Sequence, residues 1–297
     1  MKKWIKAARL RTLPLSLAGI VLAAFLAASV GKFDWIIFIL SVITASLFQI
    51  LSNFANDYGD GVKGTDNENR IGPARAVQSG EISKSEMKRA VIITAFLSFV
   101  SALLLVLYAF GFDHWPMILF YLLLGIASIA AAIKYTVGKK AYGYSGMGDL
   151  FVVIFFGFVS VMGGYYLYTK EWDWTLIFPA LSIGLLSAGV LNLNNMRDIK
   201  NDARSGKNTL PVKIGPENAK RYHFLLILLP LFLAQAYNFH HLHSLWQWLF
   251  FIPYIFLIVH ATKVMFIQHP EDFDPELKKL ALGTFLFAVF FGLGQVL

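Results

Sequence analysis

Long apolar blocks with hardly a charged residue alternate with short polar segments along the whole chain. A helix needs about 20 apolar residues to cross about 30 Å of hydrocarbon, and nine blocks approach or reach that length. They lie at 13–31, 34–55, 90–110, 115–133, 150–168, 174–195, 222–239, 246–262 and 280–297. The pattern therefore predicts an all-α integral membrane protein in which about nine transmembrane helices form a bundle.

Lysine and arginine are distributed very unequally between the two sets of connecting segments. If the N-terminus lies inside, the inner segments carry 24 of the 26 Lys and Arg residues, and only Lys32 and Lys170 lie outside. Cytoplasmic segments of membrane proteins are enriched in these residues, so the distribution predicts an N-in, C-out topology. It also accounts for the net charge of +8 without a nucleic-acid partner. We expect the protein to contact a lipid bilayer and no nucleic acid.

Composition narrows the chemistry further. Hydrophobic residues make up 57% of the chain and charged residues 15%, whereas soluble domains contain about 25% charged residues. The absence of cysteine excludes disulfides, zinc–thiolate sites and cysteine nucleophiles. With short outer connections and no soluble segment of domain size, we expect one polytopic domain over 1–297.

The first span has one competing interpretation. Lys2, Lys3 and Lys6 precede it, as in a secretory signal peptide, and residues 27–29 loosely resemble a cleavage site. The apolar block is long for the hydrophobic region of a signal peptide, and residues 8–14 look like the beginning of a retained helix. We therefore expect this block to stay as a transmembrane helix.

Two inner segments, 56–89 and 196–221, are long and rich in polar residues. The run NDYGD at 56–60 opens the first, and the run NNMRD at 194–198 opens the second. In each run an aspartate follows an asparagine by four residues. Internal repeats of this kind occur in membrane proteins with a site between two halves. The match suggests a pseudo-repeat of about 1–133 and 134–297.

Paired aspartates stand out in both segments. Asp57 and Asp60 are three residues apart, and Asp198 and Asp202 are four apart. On a helical turn both spacings place the two carboxylates on one face, where they repel each other unless a cation lies between them. Carboxylate oxygens suit Mg²⁺. One such pair could be solvated carboxylates at the membrane interface, but two matched pairs favour a magnesium site with these four aspartates as the catalytic ligands.

Basic residues accompany both aspartate pairs and could bind a diphosphate, because Lys and Arg donate to phosphate oxygens. The candidates are Lys63, Arg70, Arg75, Lys134, Arg197 and Lys207. The positive-inside distribution alone also predicts basic inner segments, so that alternative stays open for each residue.

Four segments carry a family resemblance: 8–14, 56–80, 134–150 and 192–215. They resemble the UbiA superfamily of intramembrane prenyltransferases, and more narrowly the bacterial 1,4-dihydroxy-2-naphthoate polyprenyltransferases of menaquinone synthesis. The resemblance implies nine transmembrane helices around a central cavity.

The resemblance also implies roles for individual residues. The expected metal-binding positions are Asn56, Asp57, Asp60, Asp66, Asn194, Asp198 and Asp202, and Lys134 matches a diphosphate-binding lysine. We further expect Tyr135 and Asn53 to contact the aromatic acceptor. The chain departs from the wider superfamily at Gly64, where an aspartate is usual, so that Asp66 is the nearest acid. It departs again at Gly61, where an arginine is common and Lys63 is the nearest replacement.

The activity implied is Mg²⁺-dependent transfer of a polyprenyl group from polyprenyl diphosphate to 1,4-dihydroxy-2-naphthoate, with decarboxylation to demethylmenaquinone. The resemblance also implies a site facing the cytoplasm in the bacterial inner membrane. Other aromatic acceptors, such as 4-hydroxybenzoate or homogentisate, remain open. A CDP-alcohol phosphotransferase would need a motif that does not follow Asp60-Gly61. A secondary transporter would hold its acids near mid-bilayer, not at span ends.

Overall fold

The computed structural model describes residues 1–66, 71–138 and 140–297, and its regular elements there are helical. Within these ranges nine helices are long and apolar enough to cross a membrane. They are Lys2–Ser29 (α1), Trp35–Lys63 (α2), Lys84–Phe110 (α3), Trp115–Lys134 (α4), Gly148–Thr169 (α5), Trp174–Arg197 (α6), Pro216–His240 (α7), Leu245–Met265 (α8) and Pro270–Val296 (α9). The predicted all-α, multi-pass membrane architecture is confirmed.

Several helices extend well beyond the apolar blocks that revealed them. α2 continues two turns past residue 55, to Lys63, and α9 begins at Pro270 instead of residue 280. Hydropathy detects only the part of a helix that lies in hydrocarbon, whereas backbone hydrogen bonding continues into the polar interface. α2 ends at Gly64, whose positive φ of 75° and N–H bond to the Asp60 carbonyl form a left-handed cap. Asp57 and Asp60 therefore lie on the helix itself, not in the loop after it.

Two spans are irregular. α1 is interrupted at Arg9, which has a left-handed backbone (φ 48°), and a 3₁₀ turn at Leu10–Thr12 leads into the helix Leu13–Ser29. α5 contains a π-helical stretch at Val153–Gly163. Where α5 crosses α6 the backbones nearly touch: a Cβ on Gly157 would lie 2.5 Å from the Ala180 carbonyl oxygen. Only glycine fits there, as in other closely packed membrane helices.

A central cavity of about 310 Å³ lies between α1, α2, α3, α4 and α5, with Leu191 of α6 also in its wall. Its lining is mostly apolar, and a second packed region of α6, α7, α8 and α9 lies beside it around buried Phe250, Phe287 and Phe291. The cavity therefore suits a hydrocarbon ligand.

One end of the bundle collects the polar connections, because alternate connections of an up-and-down bundle lie on the same side. In the described part of the chain these are 64–66, 71–83, 135–138, 140–147, 198–215 and 266–269, together with the N-terminal helix Lys2–Ala8. The short helices Tyr142–Tyr144, Ile199–Arg204 and Leu210–Ile214 belong to this polar end. The orientation of the polar end in a membrane and the pseudo-repeat of two halves remain predictions.

Candidate active site

The first aspartate pair lies in the last two turns of α2, and both side chains are buried. The two carboxylate oxygens of Asp57 accept hydrogen bonds from the backbone N–H groups of Ala76 and Val77, each at 3.1 Å. Asp57 thereby anchors the returning part of the first polar loop to the helix. Since Arg75 precedes Ala76, the same contact holds that arginine near the aspartate pair.

The second aspartate pair lies where α6 gives way to the short helix Ile199–Arg204. Asp198 and Asp202 are both buried, and the Asp202 N–H donates to the Asp198 carbonyl at 2.8 Å. Both aspartate pairs therefore lie at the polar end of a span, the first on α2 and the second after α6.

Lys207 connects the two pairs directly. Its Nζ atom lies 3.7 Å from an Asp60 oxygen and 3.9 Å from an Asp202 oxygen, and its side chain is buried. Asn201 adds a neutral link, because its amide donates to the Thr65 carbonyl at 2.9 Å. The two motifs, far apart in sequence, therefore face each other across one ammonium group.

Burial by itself would lower the pKa of the Lys207 ammonium, but Asp60 and Asp202 together raise that pKa above its ordinary value. Lys207 therefore remains charged at neutral pH. A permanent cation between two buried carboxylates offsets repulsion that would otherwise push the motifs apart.

Tyr144 contacts the same cluster from the α4–α5 connection. Its hydroxyl donates to Asp60 at 2.8 Å and lies 2.5 Å from the Thr65 hydroxyl. The Nζ atom of Lys63 lies 3.8 Å from the centroid of the Tyr144 ring. Burial, with a further contribution from Asp60, raises the pKa of the Tyr144 hydroxyl, so it stays protonated and able to donate. Sequence reasoning assigned Tyr144 no role, although the segment 134–150 carried the family resemblance.

Arg197 lies among acceptors of its own half of the chain. Its guanidinium donates to both oxygens of Asp198 (3.1 and 2.8 Å), to Asn194 (2.6 Å) and to Asp274 of α9 (2.6 Å). The residue is only 2% exposed. These contacts make it a support for the second aspartate pair, and diphosphate binding by Arg197 remains a prediction. Asp274 was not foreseen from the sequence.

Asp66 and Arg75 form a further buried ion pair, with the Arg75 Nε 3.6 Å from a carboxylate oxygen. Asp66 thus lies in the same cluster as the expected metal ligands. Arg70, expected to bind diphosphate, lies outside the described residues.

Two other expected site residues have surroundings of a different kind. Lys134 ends α4 with an exposed side chain. The Asn53 amide donates to the Ala8 carbonyl at 2.8 Å and to the Thr12 hydroxyl at 3.2 Å, which ties α2 to the N-terminal segment. The acceptor-binding role of Asn53 and the diphosphate-binding role of Lys134 remain predictions.

One end of the apolar cavity lies next to the first aspartate pair, because Asn56, the neighbour of Asp57, lines it. Tyr135, Asn56 and Gln49 line it there, and the side-chain amide oxygen of Asn56 accepts from the Thr136 hydroxyl at 3.3 Å. Burial, assisted by Asp60, raises the pKa of the Tyr135 hydroxyl, so it remains neutral. Tyr135 is therefore placed where a ligand in the cavity would meet the acids.

Asp57 and Arg75 line a second cavity of about 530 Å³. Its wall carries basic side chains of the N-terminal segment, Lys6, Arg9 and Arg11. The two cavities adjoin at Val152, Phe156 and Leu191, which line both. The RLR run at 9–11 was visible in the sequence, but its proximity to Asp57 was not.

The donor set can be compared with what a hard divalent cation needs. Among the described residues no three His, Asp or Glu side chains are close enough to form a ready-made metal cluster; Lys207 lies between Asp60 and Asp202 instead. Even so, the described part of the two aspartate motifs buries five carboxylates, Asp57, Asp60, Asp66, Asp198 and Asp202, beside three buried cations, Arg75, Arg197 and Lys207. This excess of negative charge among the described site residues fits Mg²⁺.

Comparisons with known proteins agree with this arrangement. The profile of the UbiA prenyltransferase family matches residues 17–293. A 1,4-dihydroxy-2-naphthoate octaprenyltransferase of Escherichia coli (strain K12) is 46% identical over 291 residues, covering 98% of this chain and 94% of the relative. The enzyme of the same name from Haemophilus influenzae is 40% identical over 299 residues, covering 100% and 96%.

Solved structures share the fold at low sequence identity. A UbiA homolog from Archaeoglobus fulgidus bound to GPP and Mg²⁺ superposes with a TM-score of 0.64 at 16% identity, covering 99% of both chains. A digeranylgeranylglyceryl phosphate synthase gives a TM-score of 0.65 at 19% identity, covering 99% of this chain and 98% of the other. With its nine spans, its two facing aspartate motifs and these matches, the chain belongs to the UbiA prenyltransferase family.

Proposed function

We propose that the protein transfers a polyprenyl group from polyprenyl diphosphate to 1,4-dihydroxy-2-naphthoate, with loss of CO₂, to give demethylmenaquinone. The observation that carries the proposal is the convergence of Asp60 and Asp202 on Lys207, together with an apolar cavity that Asn56, the neighbour of Asp57, helps to line. The family membership and the names of the two relatives support the reaction and the acceptor.

Asp57, Asp60, Asp198 and Asp202, with Asp66 beside them, would hold Mg²⁺ that neutralises the diphosphate when bound. Asn56 and Asn194 are close enough in sequence to add amide oxygens to this set. The structures of the Archaeoglobus fulgidus homolog with GPP or DMAPP and Mg²⁺ support the same use of metal here.

The chain's own cations act on the leaving group. Lys207, Lys63 and Arg75 lie around the aspartate motifs and would donate to the diphosphate oxygens. As the bond between the prenyl C1 and oxygen breaks, the electron pair moves to the diphosphate, and fixed positive charge there lowers the barrier.

The apolar cavity serves the other half of the reaction. Its wall holds the aromatic rings of Tyr142, Phe151 and Phe155, which exclude water from the allylic cation left by diphosphate departure. The acceptor carbon that bears the carboxylate attacks C1. The bond to the carboxyl carbon then breaks, its electron pair returns to the ring, and CO₂ leaves.

We further propose that the polar end of the bundle faces the cytoplasm of a bacterial cell, with the protein in the inner membrane, N-in and C-out. The excess of Lys and Arg in the polar-end connections supports this orientation. A cytoplasmic site would meet the water-soluble diphosphate head while the tail stays in the bilayer.

A competition assay tests the function. The purified protein in detergent receives a polyprenyl diphosphate, Mg²⁺, and equal amounts of dihydroxynaphthoate and 4-hydroxybenzoate. We expect mass spectrometry to detect prenylated, decarboxylated naphthoate and stoichiometric diphosphate. Product from 4-hydroxybenzoate alone would move the assignment to another acceptor class, and binding without diphosphate release would favour a transporter.

A further inference from the structure

The α4–α5 connection contacts residues of both loops that carry the aspartate motifs. The backbone N–H of Asn208 donates to the Tyr144 carbonyl at 3.1 Å, and the Lys213 ammonium donates to the Ser145 carbonyl at 2.6 Å. The Tyr144 side chain in turn reaches Asp60 and Thr65 on the first motif. The segment Tyr142–Tyr144 therefore spans the gap between the two loops that carry the acids.

These contacts complete a closed circuit of polar groups. From Tyr144 the circuit passes to Thr65, whose carbonyl accepts from Asn201. Asn201 adjoins Asp202, which pairs with Lys207, and Lys207 pairs with Asp60, the acceptor of the Tyr144 hydroxyl. Each link fixes the next, so the distance between the motifs depends on all of them.

We propose that Tyr144 is a positioning residue for Asp60, with separate tasks for its hydroxyl and its ring. An ionised carboxylate has about four lone-pair sites, so the Tyr144 hydroxyl can orient Asp60 and still leave oxygen sites for a cation. Hydrogen bonds from outer groups commonly orient the carboxylates that bind metals. The inference rests on the proposed function, since it assigns Asp60 to a metal–diphosphate site.

The ring has a different task. The Lys63 ammonium lies 3.8 Å and the Lys207 ammonium 5.5 Å from its centroid, both within cation–π range. A flat aromatic surface thus holds two of the expected diphosphate ligands beside Asp60. Losing the ring removes this surface from both lysines, whereas losing the hydroxyl removes only the hydrogen bonds to Asp60 and Thr65.

Two variants separate these tasks. Tyr144→Phe removes only the hydroxyl, and we expect the Mg²⁺ concentration for half-maximal activity to rise about tenfold, the size of effect of one hydrogen bond to a charged group. The KM for polyprenyl diphosphate should stay within about twofold. Tyr144→Leu also removes the ring, and we expect it to raise that KM about tenfold as well.

Tyr254→Phe is a matched control. Tyr254 is a buried tyrosine whose hydroxyl donates to the Ile227 carbonyl at 2.6 Å, and it lines neither cavity. We expect this variant to melt at a lower temperature and to keep the wild-type Mg²⁺ dependence. A shift in Mg²⁺ dependence common to both phenylalanine variants would show a general loss of stability and would overturn the proposal.

A binding measurement gives a readout independent of turnover. Isothermal titration with Mn²⁺ in the presence of a non-reactive prenyl thiodiphosphate reports the occupied site in wild type and in each variant. We expect Tyr144→Phe to weaken Mn²⁺ binding about tenfold, and Tyr254→Phe to leave it unchanged. Unaltered Mn²⁺ affinity and Mg²⁺ dependence in Tyr144→Phe would refute the role of Tyr144. Failure of the proposed function would instead appear as wild-type protein that binds the analogue without forming prenylated product.

Discussion

The Lys207 ammonium lies 3.7 Å from the Asp60 carboxylate, although the two residues belong to different loops at the polar end of the bundle. Asp202 approaches the same ammonium at 3.9 Å. This buried ammonium offsets the repulsion between Asp60 and Asp202, while Arg75 pairs with Asp66 and Arg197 pairs with Asp198. The three cations therefore balance part of the negative charge that the two motifs bury.

Removal of the Lys207 ammonium should make the stability of the protein depend on Mg²⁺. We expect Lys207→Met to lower the free energy of unfolding by about 3 kcal/mol, because a buried ion pair loses one partner. Added Mg²⁺ should restore much of the loss by neutralising Asp60 and Asp202. Thermal unfolding with Mg²⁺ and with EDTA measures both effects. Lys200→Met, at an exposed position of the helix Ile199–Arg204, is the control, and equal melting of both variants would contradict the role of Lys207.

The aspartates themselves should be indispensable for turnover, even in variants that still fold. We expect Asp60→Ala or Asp198→Ala to reduce product formation at least about 1000-fold, since each removes charge stabilisation at the leaving group. Both variants should still elute as monodisperse protein in detergent. Asp113→Ala, on an exposed connection at the opposite end of the bundle, should keep wild-type activity. Full activity of both site variants would exclude the metal role.

Asp274 should support Asp198 through Arg197. Asp274→Asn weakens the 2.6 Å contact with the guanidinium, and we expect kcat to fall about tenfold, with little change in KM, because Asp198 loses its orientation. In Arg197→Lys the lysine cannot reproduce the paired hydrogen bonds of the guanidinium, so we expect a larger decrease in kcat. A double-mutant cycle tests whether the two losses overlap. Asp272→Asn, on the same turn but exposed, is the control; additive losses would show that Asp274 acts independently of Arg197.

The orientation in the membrane can be tested cleanly because the chain has no cysteine. We expect Glu171→Cys, on an outer connection, to react with a membrane-impermeant maleimide in intact spheroplasts. Lys200→Cys, at the polar end, should react only after the membrane is permeabilised. The opposite pattern would reverse the N-in, C-out topology and place the site outside the cytoplasm.

Several features of the site needed the folded structure to appear. Tyr144 lies in a short polar connection that has no distinguishing spacing, and Asp274 lies near the start of α9, apart from both aspartate motifs. Arg197 looks like a diphosphate ligand in the sequence, but its guanidinium is enclosed by Asn194, Asp198 and Asp274. Such contacts join residues from different spans, and no local periodicity encodes them.

The sequence alone determined the number of spans and the two aspartate pairs, because hydrocarbon thickness demands long apolar blocks and helical spacing places acids three or four residues apart on one face. It did not determine where the helices end, since backbone hydrogen bonding carries α2 past its apolar block to Gly64. Only the tertiary structure decided which groups complete the site. Packing of nine helices brings Lys207 and Tyr144 to Asp60, and that proximity depends on distances between helices, not on order along the chain.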